Sequence, residues 1–289
     1  MAGTRLLSAR SYAAAASDPP ADLKPLLREV HPNRMRRNNR FTELALLGAL
    51  RCVQDIGGLP EQCALYLASG QGNVSDTVSL LHETVRDRLE PMPLSFINVS
   101  SNIAGFTVSQ VLGLHGHNIA VSRNGGAFDS ALELALLDLQ SGAVPMALVG
   151  VVEEYALPPA EHCRRLGLAE GELPAEQSSW LLLTAESGHG REGPVATCQR
   201  YRSPMDLPDN PHARWIAGAD LPVSARGKRP ATESPGEPLP GYSESIRLHP
   251  LVEALDGLTK GRSERPVYYL NGDGTGGLLL FEFNPAHRE

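Results

Sequence analysis

Cysteine is scarce in this chain, and aromatic residues make up only 5% of it. The four cysteines are scattered, and no two of them are spaced as a C-x-x-C pair; they are Cys52, Cys63, Cys163 and Cys198. The spacing therefore predicts neither a metal site nor a disulfide framework. Free thiols in a reducing cytoplasm are the expected state.

Long apolar runs and an excess of positive charge are also missing from the sequence. No run is long enough to predict a membrane-spanning helix, and residues 1–18 lack the continuous apolar stretch of a signal peptide. The formal net charge of -7 gives no general reason to bind nucleic acid or anionic lipid. The expectation is a cytoplasmic protein of 289 residues.

One basic cluster stands out against this acidic background. It consists of Arg34, Arg36, Arg37 and Arg40. Two interpretations are open, the solvated start of a helix and a docking patch for an acidic partner.

Helical spacing and short apolar runs alternate along the first two-thirds of the chain. The segments are 43–55, 64–68, 76–89, 100–114, 117–121, 146–152 and 180–185. The alternation of strand and helix predicts an α/β protein with a largely parallel sheet. Between the strands at 117–121 and 146–152 lies the strongest helix, residues 127–139. This helix is apolar nearly all round, which predicts burial between sheets above and below it.

The C-terminal third changes character at residue 203. Residues 203–245 are rich in proline and predict a loop. A helix at 251–258 and strands at 267–270 and 278–283 follow, with a glycine-rich turn at 271–277 between the strands. We expect a single domain over 1–289, in which 1–190 and 246–289 are the structured parts.

The segment 94–152 resembles the N-terminal half of β-ketoacyl synthases. Residues 113–121 are similar to the family's approach to its nucleophile, 131–139 to the buried helix behind it, and Ser141-Gly142 with 147–152 to the exit strand. The segments 37–52, 67–72 and 179–185 resemble further elements of that half.

This resemblance implies a thiolase-like fold, a layered α-β-α-β-α sandwich of two related halves, here with a shortened C-terminal half. It also implies dimerisation through the strand at about 117–123. The substrates of such a protein are acyl chains that an acyl carrier protein presents on a phosphopantetheine arm. The resemblance implies no cofactor of the chain's own.

The position of the family's nucleophilic cysteine falls on Gly125, which has no nucleophile. In the family, the helix N-terminus at this point lowers the thiol pKa and stabilises an oxyanion. The family's two histidine motifs are also not found. The segment 271–277 matches either the first of them, with Asp273 in place of histidine, or the family's last glycine-rich turn, and the second match is favoured.

Several residues remain as candidates for a pocket beside Gly125. Gly126 either forms a plain turn or opens space for a ligand. Phe106 and Phe128 line an acyl tunnel or belong to the core. The remaining candidates are Ser122, Asn124, His249 and Asp273.

Two other groups have rival interpretations. Glu153 and Glu154 follow a strand end, where they form either a catalytic acid pair or a solvated loop. His115 and His117 have metal-binding spacing, but no nearby carboxylate or cysteine completes a set, and a role at a dimer interface or on the surface is the favoured alternative.

A ketosynthase relative without the catalytic cysteine is similar to a chain length factor. We therefore expect a non-catalytic subunit without independent condensing activity. It would pair with an active β-ketoacyl synthase in fatty-acid, polyketide or aryl-polyene-type biosynthesis. Two alternatives are an enzyme that acts on carrier-bound acyl chains through a residue other than cysteine, and a homodimeric acyl-binding protein.

Overall fold

A computed structural model describes most of the chain. The described residues are 3–15, 20–32, 38–100, 102–123, 125–156, 160, 163–164, 175–185, 193–218, 221 and 248–286. The helices are α1 Lys24–Val30, α2 Arg40–Val53, α3 Val74–Leu81, α4 Pro93–Asn98, α5 Ile103–Leu112, α6 Ala127–Ser141 and α7 His249–Thr259. The strands are β1 Thr4–Ala15, β2 Ala64–Ser69, β3 Asn118–Ser122, β4 Met146–Glu153, β5 Ala175–Ala185, β6 Val195–Tyr201, β7 Arg214–Ala217, β8 Val267–Gly272 and β9 Leu278–Asn284.

The described strands form one sheet in the order β3-β2-β4-β5-β1-β6-β9-β8-β7. Read outward from the β1–β6 contact, the first half runs β1-β5-β4-β2-β3 and the second runs β6-β9-β8-β7. Parallel and antiparallel pairings recur in the same places in both halves. The chain is therefore built from two halves of like topology. Along the sheet, the two halves meet where Thr4 pairs with Ala196 and Arg5 pairs with Val195.

Alternate residues of each strand face two different cores. In β2, Tyr66 faces one core together with α6 and α7, whereas Leu65 faces a second core with α2 and α5. In β9, Phe281 faces the same core of α6 and α7, and Leu280 faces a third core on the far side of the second half. Helices α6 and α7 thus lie between the two halves of the sheet, with α2 and α5 outside the first half.

Glycines and one asparagine set the ends of the helices that matter here. The Asn39 side chain accepts a hydrogen bond from Thr42 N at 2.8 Å and caps the start of α2. Gly113 ends α5 and Gly142 ends α6, both in the left-handed conformation that glycine adopts without strain.

Three expectations about the fold are wrong in detail. The sheet is mixed rather than largely parallel, because β5 and β9 run antiparallel to their neighbours. Helix α6 is not buried all round, since Leu134 is 39% and Leu137 is 56% exposed. The proline-rich segment is not loop throughout, because β7 pairs in parallel with β8 inside it; 219–220 and 222–247 lie outside the described residues.

The predicted helix at 76–89 is shorter than expected. It ends at Leu81 and continues as a π-helix, His82–Arg86. No helix among the described residues is long and apolar enough to cross a membrane.

Candidate functional site

The turn from β3 into α6 is the position where the sequence places the nucleophile. Gly125 is buried, and both Gly125 and Gly126 have positive φ, 82° and 63°. Side chains other than glycine are strained in this region. The turn thus requires glycine at both positions. Helix α6 therefore begins directly after two residues that have no side chain.

The first turn of α6 is tied to the C-terminal half through a buried hydrogen bond. Asn271 Nδ2 donates to Asp129 Oδ2 at 2.6 Å, and both residues are buried. Asp129 lies at the positive end of the helix dipole, which favours a carboxylate. Gly218 packs so closely against Asn271 that any side chain there would collide with its amide. This contact brings the 271–277 turn to the start of α6.

The 271–277 turn is closed on itself by Asp273. Its Oδ1 accepts from Thr275 N at 2.8 Å, from Thr275 Oγ1 at 2.9 Å and from Gly277 N at 2.9 Å. The hydrogen bond from Thr275 N, helped by the others and by the Arg200 charge, lowers the pKa of Asp273. Two backbone N–H groups of this turn are therefore occupied by an ionised side chain and do not face a ligand.

Arginines surround this turn. Arg200 forms a bidentate ion pair with Glu133 of α6, with Nη2–Oε2 at 2.7 Å, and its Nη1 lies 3.7 Å from Asp273 Oδ2. Arg123 Nη1 donates to Ser130 Oγ at 3.1 Å. A cavity of about 530 Å³ opens beside the turn and is lined by Arg200, Tyr201, Arg202, Asp273, Thr275, Gly276 and Gly277. Arg123 and Arg200 were not among the site residues predicted from the sequence.

His249 begins α7 at the same end of the sheet. Its Nδ1 lies 2.9 Å from Ser11 Oγ, and its Nε2 lies 3.2 Å from Glu253 Oε1. Ser11 pairs with Ser179 in β5, and this row of residues crosses the sheet to Val121 in β3. The structure thus connects His249 with a serine that sequence reasoning missed.

The other predicted pocket residues have different surroundings. Ser122 is exposed at the end of β3. Phe128 is buried in the core around α6, as the core interpretation predicted. Phe106 is 52% exposed, so its assignment to the core was wrong. Asn124 lies outside the described residues.

The outer edge of β3 lies beside exposed apolar side chains. Among the described strands, β3 pairs only with β2. Helices α5 and α6 pack on its two faces. Phe106 of α5 and Leu134 and Leu137 of α6 are exposed on these helices; we call β3 with these three residues the edge surface. The preceding segment exposes further apolar side chains, namely Leu81, Val85, Leu89, Met92, Leu94, Phe96 and Ile97.

Glu153 and Glu154 are buried, so the solvated-loop interpretation of this pair is wrong. Glu153 accepts from Ser69 Oγ at 3.2 Å and from Gly70 N. Glu154 accepts from Ser75 N at 2.8 Å, at the start of α3. Burial, opposed by the Ser75 hydrogen bonds, raises the pKa of Glu154 to about 7. The pair holds the turn after β2 and the start of α3.

Two other surface predictions also have a structural outcome. Arg40 is not a solvated helix start, because it pairs with Glu176, with Nε–Oε2 at 3.0 Å; Arg34, Arg36 and Arg37 lie outside the described residues. His117 Nδ1 lies 3.1 Å from Asp138 Oδ2. The described part of the chain holds no group of three side chains suited to a metal ion.

A family profile identifies the chain. The profile described as "Beta-ketoacyl synthase, N-terminal domain" matches residues 5–164, more than half of the chain. The chain therefore belongs to the β-ketoacyl synthase family. A search of curated proteins found no match.

Solved structures agree with this assignment. The ishigamide ketosynthase/chain length factor has a TM-score of 0.70 at 14% identity, over 99% of this chain and 100% of that chain. A ketosynthase (ApeO) in complex with its chain length factor (ApeC) from Xenorhabdus doucetiae has a TM-score of 0.53 at 13% identity, over 97% and 99%. A type II PKS acyl-carrier protein in complex with its ketosynthase (AntDE:AntF) has a TM-score of 0.60 at 12% identity, over 99% and 100%. The predicted thiolase-like fold is confirmed.

Proposed function

We propose that this chain is a chain length factor-like subunit that pairs with an active β-ketoacyl synthase and contributes no condensing chemistry of its own. One observation carries the proposal. The turn before α6, where the family resemblance places the nucleophile, holds Gly125, which supplies no thiol and whose φ of 82° disfavours any side chain. The pathway would be fatty-acid, polyketide or aryl-polyene-type biosynthesis.

The edge surface is the proposed site of pairing. An unpaired strand edge offers backbone N–H and C=O groups to a strand of another chain. Phe106 and Leu137 flank β3 with exposed apolar area that association would remove from water. A thiolase-like partner with an equivalent edge strand fits this surface, because pairing would continue the sheet across both chains.

The similar structures include the same kind of assembly. Two of them describe a ketosynthase with a chain length factor, and one describes a ketosynthase with an acyl-carrier protein. We extend these roles to the present chain as part of the proposal. The subunit would have no cofactor of its own, would meet acyl chains carried on phosphopantetheine, and would work in the cytoplasm.

The test is intact-protein mass with peptide mapping, measured after incubation with acyl- and malonyl-loaded acyl carrier protein. The chain is incubated alone and with an active β-ketoacyl synthase. The expected result is acylation of the synthase, none at Gly125 or its neighbours in this chain, and a co-purifying complex. A synthase whose nucleophilic cysteine is replaced by alanine is the control, and it should form the complex without becoming acylated. A stable homodimer that ignores the synthase would refute the proposal and favour a homodimeric acyl-binding protein.

A further inference from the structure

A row of hydrogen-bonded polar side chains runs from β5 across β1 to the start of α7. Gln177 and Ser179 of β5 are fully buried. Gln177 Nε2 donates to Ser179 Oγ at 2.5 Å, and Ser179 Oγ lies 2.7 Å from Ser11 Oγ. The contacts of His249 with Ser11 and Glu253 continue the row to the surface.

Along this row of side chains, each group can donate a hydrogen bond to the next. Because Ser179 Oγ accepts from the Gln177 amide, its own proton is free to be donated to Ser11 Oγ. Ser11 then donates its proton to His249 Nδ1, 2.9 Å away. A histidine that accepts at Nδ1 carries its proton at Nε2, and Glu253 Oε1 lies 3.2 Å from that nitrogen. A nucleophile and a base thus lie in hydrogen-bonded order, and the Glu253 carboxylate lies within ion-pair distance of the base, where it can orient the ring.

Packing alone gives no reason for these polar residues. Leu181 and Leu183 follow on the same face of β5 and pack in the core around α6 and α7. Gln177 Oε1 is buried and has no hydrogen-bond partner within the described structure. Burying a polar group without a partner is unfavourable by about 1–3 kcal/mol in proteins. Such a cost indicates a role other than filling the core.

Ser11 lies next to an open edge of β1. Within the described strands, β6 pairs only with Thr4 and Arg5 of β1, so the rest of that edge carries no strand. The His249 side chain is 26% exposed. A substrate could therefore reach Ser11 from the side of the sheet edge, next to His249 at the start of α7.

We propose that Ser11, His249 and Glu253 form an acyl-transfer site for thioesters, separate from the vacant nucleophile position. Ser11 Oγ attacks the thioester carbonyl carbon while its proton passes to His249 Nδ1. The C–S bond then breaks, and the leaving thiolate takes that proton. A water molecule, deprotonated by His249, hydrolyses the resulting ester, releases a carboxylic acid and restores Ser11. Glu253 is a positioning residue that fixes the histidine tautomer.

The choice of a thioester rests on the proposed function, in which the chain meets carrier-bound acyl groups. The site is distinct from Gly125 in space. Four interstrand spacings separate Ser11 from Val121, which is roughly 19 Å at about 4.8 Å per spacing. An activity here would remove acyl chains rather than extend them.

The experiment is covalent labelling of the full-length chain with a fluorophosphonate, followed by intact mass and peptide mapping. We expect one adduct, on Ser11. Ser11→Ala should abolish it, and His249→Asn should slow it about 100-fold or more, as expected for loss of a general base. Glu253→Gln should slow it less and change its pH profile without lowering the melting temperature, because Glu253 is 66% exposed. Ser141→Ala, which changes an exposed serine at the end of α6, is the matched control and should label normally.

A second variant keeps the test valid if Ser11→Ala folds poorly. Ser11→Cys should be alkylated by iodoacetamide faster when His249 is present than in the double variant with His249→Asn. An unlabelled wild-type chain, or labelling that does not depend on His249, overturns the proposal. Neither outcome affects complex formation with the ketosynthase, so failure here is distinguishable from failure of the proposed function.

Discussion

Replacing Leu137 by aspartate should prevent the proposed pairing with a ketosynthase. Leu137 lies on α6 in the edge surface and is 56% exposed. Full burial of a leucine side chain stabilises by about 1.5–3 kcal/mol, so burying the exposed half contributes about 1 kcal/mol. Desolvating a carboxylate at the same place costs at least about 2 kcal/mol more. The dissociation constant should therefore rise about 100-fold or more.

The assay is light scattering after size exclusion, combined with titration of the partner by calorimetry. Met205→Asp is the matched control, because Met205 is 73% exposed in the segment before β7 and is not part of the edge surface. Both variants should melt within a few degrees of the wild type, since neither position is core. Unchanged affinity for Leu137→Asp, or equal weakening by Met205→Asp, would refute pairing through the edge surface.

Three further predictions concern the interior. Gly125→Cys should not restore condensation, and a condensed product would contradict that expectation. The substitution should lower the free energy of unfolding by about 1–2 kcal/mol through backbone strain. Gly113→Ala should have a similar effect on stability, because Gly113 has a φ of 67°. Because Glu154 has a pKa of about 7 against about 4.3 when unfolded, the folded state holds the extra proton between these values. Stability should therefore fall by about 3 kcal/mol as pH rises from 4 to 8, and urea unfolding of Glu154→Gln should show a flatter profile. Asn271→Ala should lower the free energy of unfolding by about 1.5–3 kcal/mol, because the buried Asp129 carboxylate loses a donor; an unchanged urea midpoint would argue against that contact.

Local patterns predicted the N-terminal half better than the C-terminal half. Helix α6 could be predicted because its apolar face and the glycines at its two ends lie within one contiguous segment of the sequence. Strand β1 was missed, since it ends in an alanine run and alanine is depleted in strands. Its pairing with β5 over eleven positions decides its conformation. Strand β7 was hidden for a similar reason, because its four residues become a strand only by pairing with β8.

No local sequence pattern predicted the long-range contacts that form the site. Asn271 and Asp129 are 142 positions apart, and His249 and Ser11 are 238 apart. In its local sequence, each of these residues fits an ordinary structural role, as part of a turn, of the first turn of a helix or of a strand. Only the folding of the two halves around α6 and α7 brings them together. The contact of Glu154 likewise has no local sign, since its donor, Ser75 N at the start of α3, is 79 positions away within the same half.

The open edge of β3 has a consequence for how much of this protein a cell can make. A newly synthesised copy without a partner presents a strand edge flanked by Phe106 and Leu134, and such an edge pairs with whatever chain it meets first. Copies in excess of the partner would be directed to chaperones, proteases or aggregates. Accumulation of either the complex or the free chain would then require balanced synthesis of the two subunits. Gene dosage would determine the yield of protein as strongly as folding stability does.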